Sequence, residues 1–237
     1  MGSVIRVLAV VGLALLLEPG VGMAQSASAI NVLTEADRAE GWRLLFDGQT
    51  TEGWRGYRSD VMPSGWQVVD GALTRVDRGG DIITRGTYSN FELSIDWRIE
   101  PGGNSGVFYR ASEETRAIYH VAPEMQVVDD TRHPDGASPL TSSGANYGLY
   151  PAPRGVVRPA GEWNTARVVV RGNSVEHWLN GTRVVAYELG SADWTQRVAD
   201  SKFSQWPKYG TVAEGHIGLQ DHGDRVAFRN IKIRRLP

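Results

Sequence analysis

The sequence predicts an all-β fold, a sandwich or jelly roll, and three observations carry that prediction. In "NFELSIDWRIE", Phe91, Leu93, Ile95, Trp97 and Ile99 alternate with Glu92, Ser94, Asp96, Arg98 and Glu100. This period of two gives a strand one face in a core and one in water. Short apolar-rich runs recur along the chain with turn residues between them. The middle of the chain carries no helical periodicity, which completes the case for packed sheets.

The elements follow in order. Residues 1–24, "MGSVIRVLAVVGLALLLEPGVGMA", hold one early positive charge and an apolar run from Val7 to Leu17, then small residues suited to cleavage near Ala24. The run is shorter than the ~20 residues a membrane span needs, so it reads as a secretory signal peptide. The expected destination is the periplasm or the medium, with no membrane attachment after cleavage. A lipid anchor would need a cysteine after the cut, and the chain has none. Residues 25–39 read as a linker and N-terminal segment. There "LTEADRAEGWRLLFDG" is the one helix-like stretch, with Thr34 placed to N-cap it, Asp37 in the capping-box position and Gly41 to end it.

Residues 40–237 read as one domain. Strands are expected at "GWQVVDGALTR" around a turn at Asp70-Gly71, and at "SGVFYR", "EMQVV", "TARVVVRGNSVEHWLNGTRVVAYEL" and "GHIGLQDHGDRVAFRNIKIRRL". Within the fourth run, Arg171-Gly172-Asn173 marks one turn, and Asn180-Gly181 between apolar runs signals a type I′ hairpin. No internal repeat or second linker interrupts the pattern.

Composition narrows the function. The absence of cysteine excludes a disulfide framework, thiol catalysis and Cys-ligated metal sites. Removing residues 1–24 takes away Arg6 and Glu18 together, so the formal net charge stays at −2. Neither nucleic acid nor an anionic membrane is suggested as partner. The five histidines, at 120, 133, 177, 216 and 222, show no metal-ligand spacing, and "DDTRHPDG" lacks the regular acidic positions of an EF-hand loop.

The candidate site starts from "EMQVV". Met125 and Val127 take one face, which leaves Glu124 and Gln126 together on the other. In "HIGLQDH" the same register turns Ile217 and Leu219 inward and His216, Gln220 and His222 outward. "GGNSGVFYR" puts Asn104, Gly106, Phe108 and Arg110 on one face in the same way. Such faces are ordinarily solvent faces of antiparallel sheets, but amides and imidazoles suit directional hydrogen bonding to a ligand. A glycosidase of the usual kind needs two carboxyls ~5–9.5 Å apart. Glu92, Asp96 and Glu100 share a face but are spaced ~13 Å from one to the next, and Glu124 has Gln126 where a second acid would stand.

Taken in order, "LLFDGQTTEGW", "GWQVVDGAL", "DIITRGTYSNFELSIDWRIEPGGNSGVFYR", "PEMQVVDD", "TSSGANYGLY", "WNTARVVVRGNSVEHWLNGTRVV" and "GHIGLQDHGDRVAFRNIKIRRL" resemble the 3-keto-disaccharide hydrolase family of secreted bacterial proteins. The resemblance spans roughly residues 40 to 236. It implies a concanavalin A-like jelly roll of two antiparallel sheets and the cleavage of glycosides already oxidised to a ketone at C3.

A C3 ketone acidifies the C2 hydrogen, so one base can form an enolate and the C1 group can leave by elimination, without a carboxylate pair. Glu124 and His222 are the candidates for proton transfer. Asn104, Arg110, Gln126, Tyr147, Lys202 and Gln220 are the candidates for holding the sugar or stabilising negative charge. The resemblance fixes no cofactor; enolate chemistry often recruits a divalent metal ion, for which Glu124, Asp129, Asp130 and His222 are able to supply ligands. The expected partners are a 3-keto-glucoside or 3-keto-disaccharide and, upstream, a sugar 3-dehydrogenase. The alternatives are a non-catalytic carbohydrate-binding module on the same jelly roll, or an interaction domain of the laminin-G type with its function on rim loops.

Overall fold

In the computed structural model, residues 1–2 and 30–237 are described. The signal-peptide reading, its apolar run and the cleavage region fall outside them. Helix α1 (Glu35–Ala39) opens with the capping box expected of Thr34 and Asp37, and Gly41 follows at φ +82°. Its acids dock on the last strand through Asp37–Lys232 and Glu40–Arg234 pairs.

Thirteen strands make the body: β1 (Arg43–Leu44), β2 (Trp54–Gly56), β3 (Trp66–Val69), β4 (Ala72–Arg75), β5 (Ile82–Thr84), β6 (Phe91–Ile99), β7 (Asn104–Ala111), β8 (Glu124–Val128), β9 (Asn164–Arg171), β10 (Ser174–Leu179), β11 (Thr182–Glu188), β12 (His216–Leu219) and β13 (Val226–Arg235). They pair antiparallel throughout. The larger sheet runs β11-β10-β9-β6-β13-β4-β3 with β1 joined to β13, and the smaller runs β2-β5-β12-β7-β8.

The two sheets pack face to face because each brings an apolar side to the centre. Phe91, Leu93, Ile95 and Trp97 of β6 meet Val107 and Tyr109 of β7, Met125 and Val127 of β8, and Ile217 and Leu219 of β12 in one buried cluster. The expected hairpins form as the turn chemistry requires: Asp70 and Gly71 have φ +50° and +72°, Asn180 and Gly181 +48° and +83°. Fully buried His177 bridges sheet and loop, its Nε2 2.8 Å from the Tyr109 hydroxyl and its Nδ1 3.0 Å from the Gly144 carbonyl oxygen.

Two features of the larger framework differ from the sequence reading. A second helix, α2 (Ala192–Ala199), stands between β11 and β12, N-capped by Ser191. It buries Trp194 alone, too little to imprint a period on the sequence. The outer face of β6 is also not simply solvated. Glu92 is only 3% exposed, held by Arg167 at 2.8 Å and Arg234 at 2.6 Å.

Candidate active site

Cross-strand register assembles the site on the open face of the smaller sheet. Phe108 pairs with Glu124, Gly106 with Gln126 and Asn104 with Val128. On the other side of β7, Leu219 pairs with Val107, and Gln220, the next residue, donates its backbone N–H to the Gly106 carbonyl at 3.0 Å. Gln126, Gly106 and Gln220 therefore form a row across three strands, with Glu124 one row along, ~7 Å away.

Loops close the two ends. The segment after β7 folds back over the Glu124 end, where Ile118, Val121 and Ala122 bury Ile83, Phe108 and Ala111 and Tyr119 reaches the rim. At the other end the turn Pro134–Ala137 brings in Asp135. The segment 144–147 lies along the free edge of β8 by Gly144–Gln126 and Tyr147–Glu124 backbone hydrogen bonds of 2.9 and 3.1 Å.

The result is a cavity of about 400 Å³ lined by Asn104, Glu124, Gln126, Tyr147, Lys202, Gln220 and His222, together with Tyr119, Asp135, Phe203 and Trp206. Seven of the eight residues singled out in the sequence converge there. Asp135 and the aromatics Tyr119, Phe203 and Trp206 were not among them. For Asp135, Phe203 and Trp206 the signal was a Pro-Asp-Gly turn and the aromatic "SKFSQWPKYG" loop, neither of which has a strand period to fix its direction; Tyr119, in "RAIYH", carried none.

Arg110 does not reach the cavity. Gly218 pairs with Phe108 but His216 pairs with Ala111, so Tyr109 and Arg110 both stand opposite Ile217. This bulge breaks the alternation and puts Arg110 at φ +52°. Its Nη2 donates instead to the carbonyls of Gly172, 2.5 Å, and Ser89, 3.2 Å. His216 also lies outside the cavity lining, with Nδ1 2.7 Å from the Thr84 carbonyl oxygen.

Glu124 is 5% exposed and no side chain hydrogen-bonds or ion-pairs with its carboxyl among the described residues. Gly106 makes its position possible. A Cβ on that glycine would lie 2.0 Å from Glu124 Oε1. Burial pushes the Glu124 carboxyl up to about 8, against the pull of the Lys202 ammonium and with added repulsion from Asp81 and Asp135. Lys202 Nζ sits 4.3 Å over the Tyr147 ring, and burial with the nearby Asp135 and Glu124 charges raises the Tyr147 hydroxyl to about 12. Asp81, which precedes β5, is raised by burial to about 6 and accepts the Asp221 N–H at 2.9 Å.

The amides are distinctive. Both side-chain polar atoms of Gln126, the Oδ1 of Asn104 and the Oε1 of Gln220 are buried and have no hydrogen-bond partner among the described residues. Asn104 Nδ2 donates to Asp135 at 3.1 Å. His222, half exposed, stands at the mouth 3.8 Å from Asp224 and makes no hydrogen bond to Glu124. A cavity of about 250 Å³ on the larger sheet, between Arg98, Glu100 and Arg225, has no buried unpartnered polar atom in its lining, so the groove is the better candidate.

Of the four residues named as possible metal ligands, Glu124 and His222 line the cavity and Asp129 and Asp130 do not. Asp129 accepts from Gly102 N–H and Thr131, and Asp130 from Ser143 N–H, which ties both to loop backbone away from the cavity lining. No group of three or more His, Asp or Glu disposed to hold a metal ion occurs among the described residues.

Residues 41–234 match the family described as the 3-keto-alpha-glucoside-1,2-lyase-like domain. A 3-keto-disaccharide hydrolase of Bacteroides thetaiotaomicron is 39% identical over 230 residues, which span 84% of this chain and 79% of that protein. The crystal structure of a glycosyl hydrolase candidate from Parabacteroides distasonis is similar with a TM-score of 0.82 at 37% identity, over 88% of this chain and all of that one. A second from the same organism gives 0.69 at 33% identity, over 82% of this chain and 99% of the other.

Proposed function

Because this chain belongs to the 3-keto-alpha-glucoside-1,2-lyase-like family, and so among enzymes that act on glycosides, we propose that it cleaves 3-keto-glucosides by taking the C2 proton and eliminating the C1 group. The observation that carries this is Glu124: a buried carboxyl with no partner, raised to about 8, beside buried amide atoms that lack partners of their own. A carboxylate with so high a pKa is a far stronger base than a surface glutamate, and its value lies near working pH, where a general base is most effective.

Glu124 removes the proton from C2 and the electron pair moves onto the C3 oxygen as an enolate. The Gln126 amide and the Lys202 ammonium are the donors that face this oxygen. Collapse of the enolate restores the C3 ketone, forms the C1–C2 double bond and expels the C1 oxygen. In an α-glucoside that oxygen and the C2 hydrogen lie on opposite faces of the ring, so a second group must protonate it. His222, across the groove at its mouth, has that role. Gln220 Oε1 and Asn104 Oδ1 accept from sugar hydroxyls. Water then adds at C1 as C2 is reprotonated, which releases a free 3-keto sugar and makes the overall outcome a hydrolysis. The ketone must be supplied by an oxidoreductase acting at C3.

The test is incubation of a 3-keto-α-glucoside and its unoxidised parent in D2O. Only the keto compound should be cleaved, and its product should carry deuterium at C2 beyond what the free keto sugar acquires alone. Equal cleavage of the parent, or a product without that deuterium, would overturn elimination.

A further inference from the structure

Two arginines are buried among the described residues, Arg75 at 9% exposed and Arg110 at 5%, and only one of them has an acid. Arg75 Nε donates to Asp221 at 2.7 Å. Arg110 forms no ion pair among the described residues. The carbonyl oxygens of Gly172 and Ser89 accept from its Nη2, and its Nε is buried with no hydrogen-bond partner. Carbonyl dipoles satisfy N–H groups but do not cancel a charge, and a guanidinium stays charged. Burial draws the Arg110 pKa below its ordinary value, the mark of a cation whose charge is left uncompensated.

The same side chain forms part of the wall of a cavity of about 350 Å³. That space lies between the turn from β9 to β10, helix α2 and residues 210–213. It shares no lining residue with the groove that holds Glu124. Arg110 is the one charged residue in its lining, while Leu189, Trp194, Val198 and Val212 supply apolar surface around it. The φ of +52° at Arg110 is a strained conformation, of the kind that persists at ligand clamps because the surroundings enforce it. The proposed chemistry in the groove makes no use of that strain.

We propose that this cavity is a second binding site, which takes a monocarboxylate with an apolar body. A planar carboxylate matches the guanidinium fork, and its single charge balances that of Arg110. A phosphate dianion would keep a charge for which the lining holds no second cation. The aliphatic walls take the body that the carboxylate carries. This site does not depend on the elimination reading.

The probe is hexanoate, titrated calorimetrically into the whole protein at neutral pH beside hexanol and inorganic phosphate. Hexanoate should bind saturably, one per chain, and the other two much more weakly. Arg110→Gln should weaken hexanoate binding by about ten- to hundredfold, the weight of hydrogen bonds to a charged group. Arg110 also tethers two carbonyls, so a second variant guards against a failure to fold. Thr195, exposed on α2, lines the same cavity. Thr195→Glu leaves the tethers in place and sets a carboxylate against the ligand, so it should cost binding about tenfold or more. No saturable binding of hexanoate by wild type, equal binding of hexanol, tighter binding of phosphate, or undiminished hexanoate binding in either folded variant would overturn the proposal.

Discussion

Glu92 and Glu124 are both strand glutamates buried to nearly the same degree, 3% and 5% exposed, yet they occupy opposite kinds of environment. Glu92, on the outer face of the larger sheet, is clamped by Arg167 and Arg234. Glu124, in the groove of the smaller sheet, has no hydrogen-bonding or ion-pairing side chain among the described residues. Burial alone therefore does not mark a reactive acid. What marks it is burial without compensation, which costs the fold stability and leaves the carboxyl's proton affinity available to a ligand.

The sharpest way to break this contrast is to make the same substitution at both places. Glu124→Gln should lower turnover of a 3-keto-glucoside by about 10²–10⁴-fold, the usual weight of a proton-transfer group. Glu92→Gln should leave turnover within a few-fold. Steady-state rates on the two purified variants decide it, and comparable losses at both positions would end the distinction. Next in size is Gly106→Ala. Its new Cβ would collide with Glu124 Oε1 at 2.0 Å and push the carboxyl out of line, which should cost turnover on the order of 10²-fold while the far-ultraviolet circular dichroism stays that of wild type.

Stability should answer in the reverse order. Glu92→Gln removes the charge from hydrogen bonds to two arginines and should lose about 1.5–3 kcal/mol in urea unfolding at neutral pH. Glu124 behaves differently because its folded-state pKa is raised from 4.5 to about 8. Between those values the folded chain holds a proton that the unfolded chain has released, so stability must fall as pH rises from about 4.5 to about 8, by on the order of 5 kcal/mol at most. Glu124→Gln should flatten that part of the curve relative to wild type. Lastly, Lys202→Met removes the cation that draws the Glu124 pKa down, so the rise of kcat/KM with pH through about 8 should move to higher pH. A limb that stays in place would detach Lys202 from Glu124.

Much of this was legible in the sequence, for identifiable reasons. The alternation of Glu124 and Gln126 with Met125 and Val127 set the groove face of β8, and the Asp70-Gly71 and Asn180-Gly181 pairs located two hairpins, because strand period and left-handed turns are written locally. The fate of Arg110 was not legible. One extra residue in β7 opposite Ile217 reverses the facing of all that follows it, and nothing in "GVFYR" announces a bulge that depends on the partner strand. Asp135, Tyr119 and Trp206 come from loops without a period, and their convergence is decided by backbone contacts of the folded chain such as Tyr147–Glu124. Glu92 escaped for a related reason: its arginines lie 75 and 142 positions away.

The missing side chain at position 106 has a genetic consequence. Glu124 occupies the space where any Cβ at that position would stand, so every missense change of the Gly106 codon intrudes on the carboxyl, however small the new residue. The two positions should therefore drift together among descendants of this fold, with a larger residue at the first accompanied by a shorter one at the second. A lineage that has lost the glycine can then be sorted from the sequence alone as one that keeps the jelly roll while abandoning the proposed proton-transfer chemistry. Assaying one such natural homologue on a 3-keto-glucoside would show whether the sorting holds.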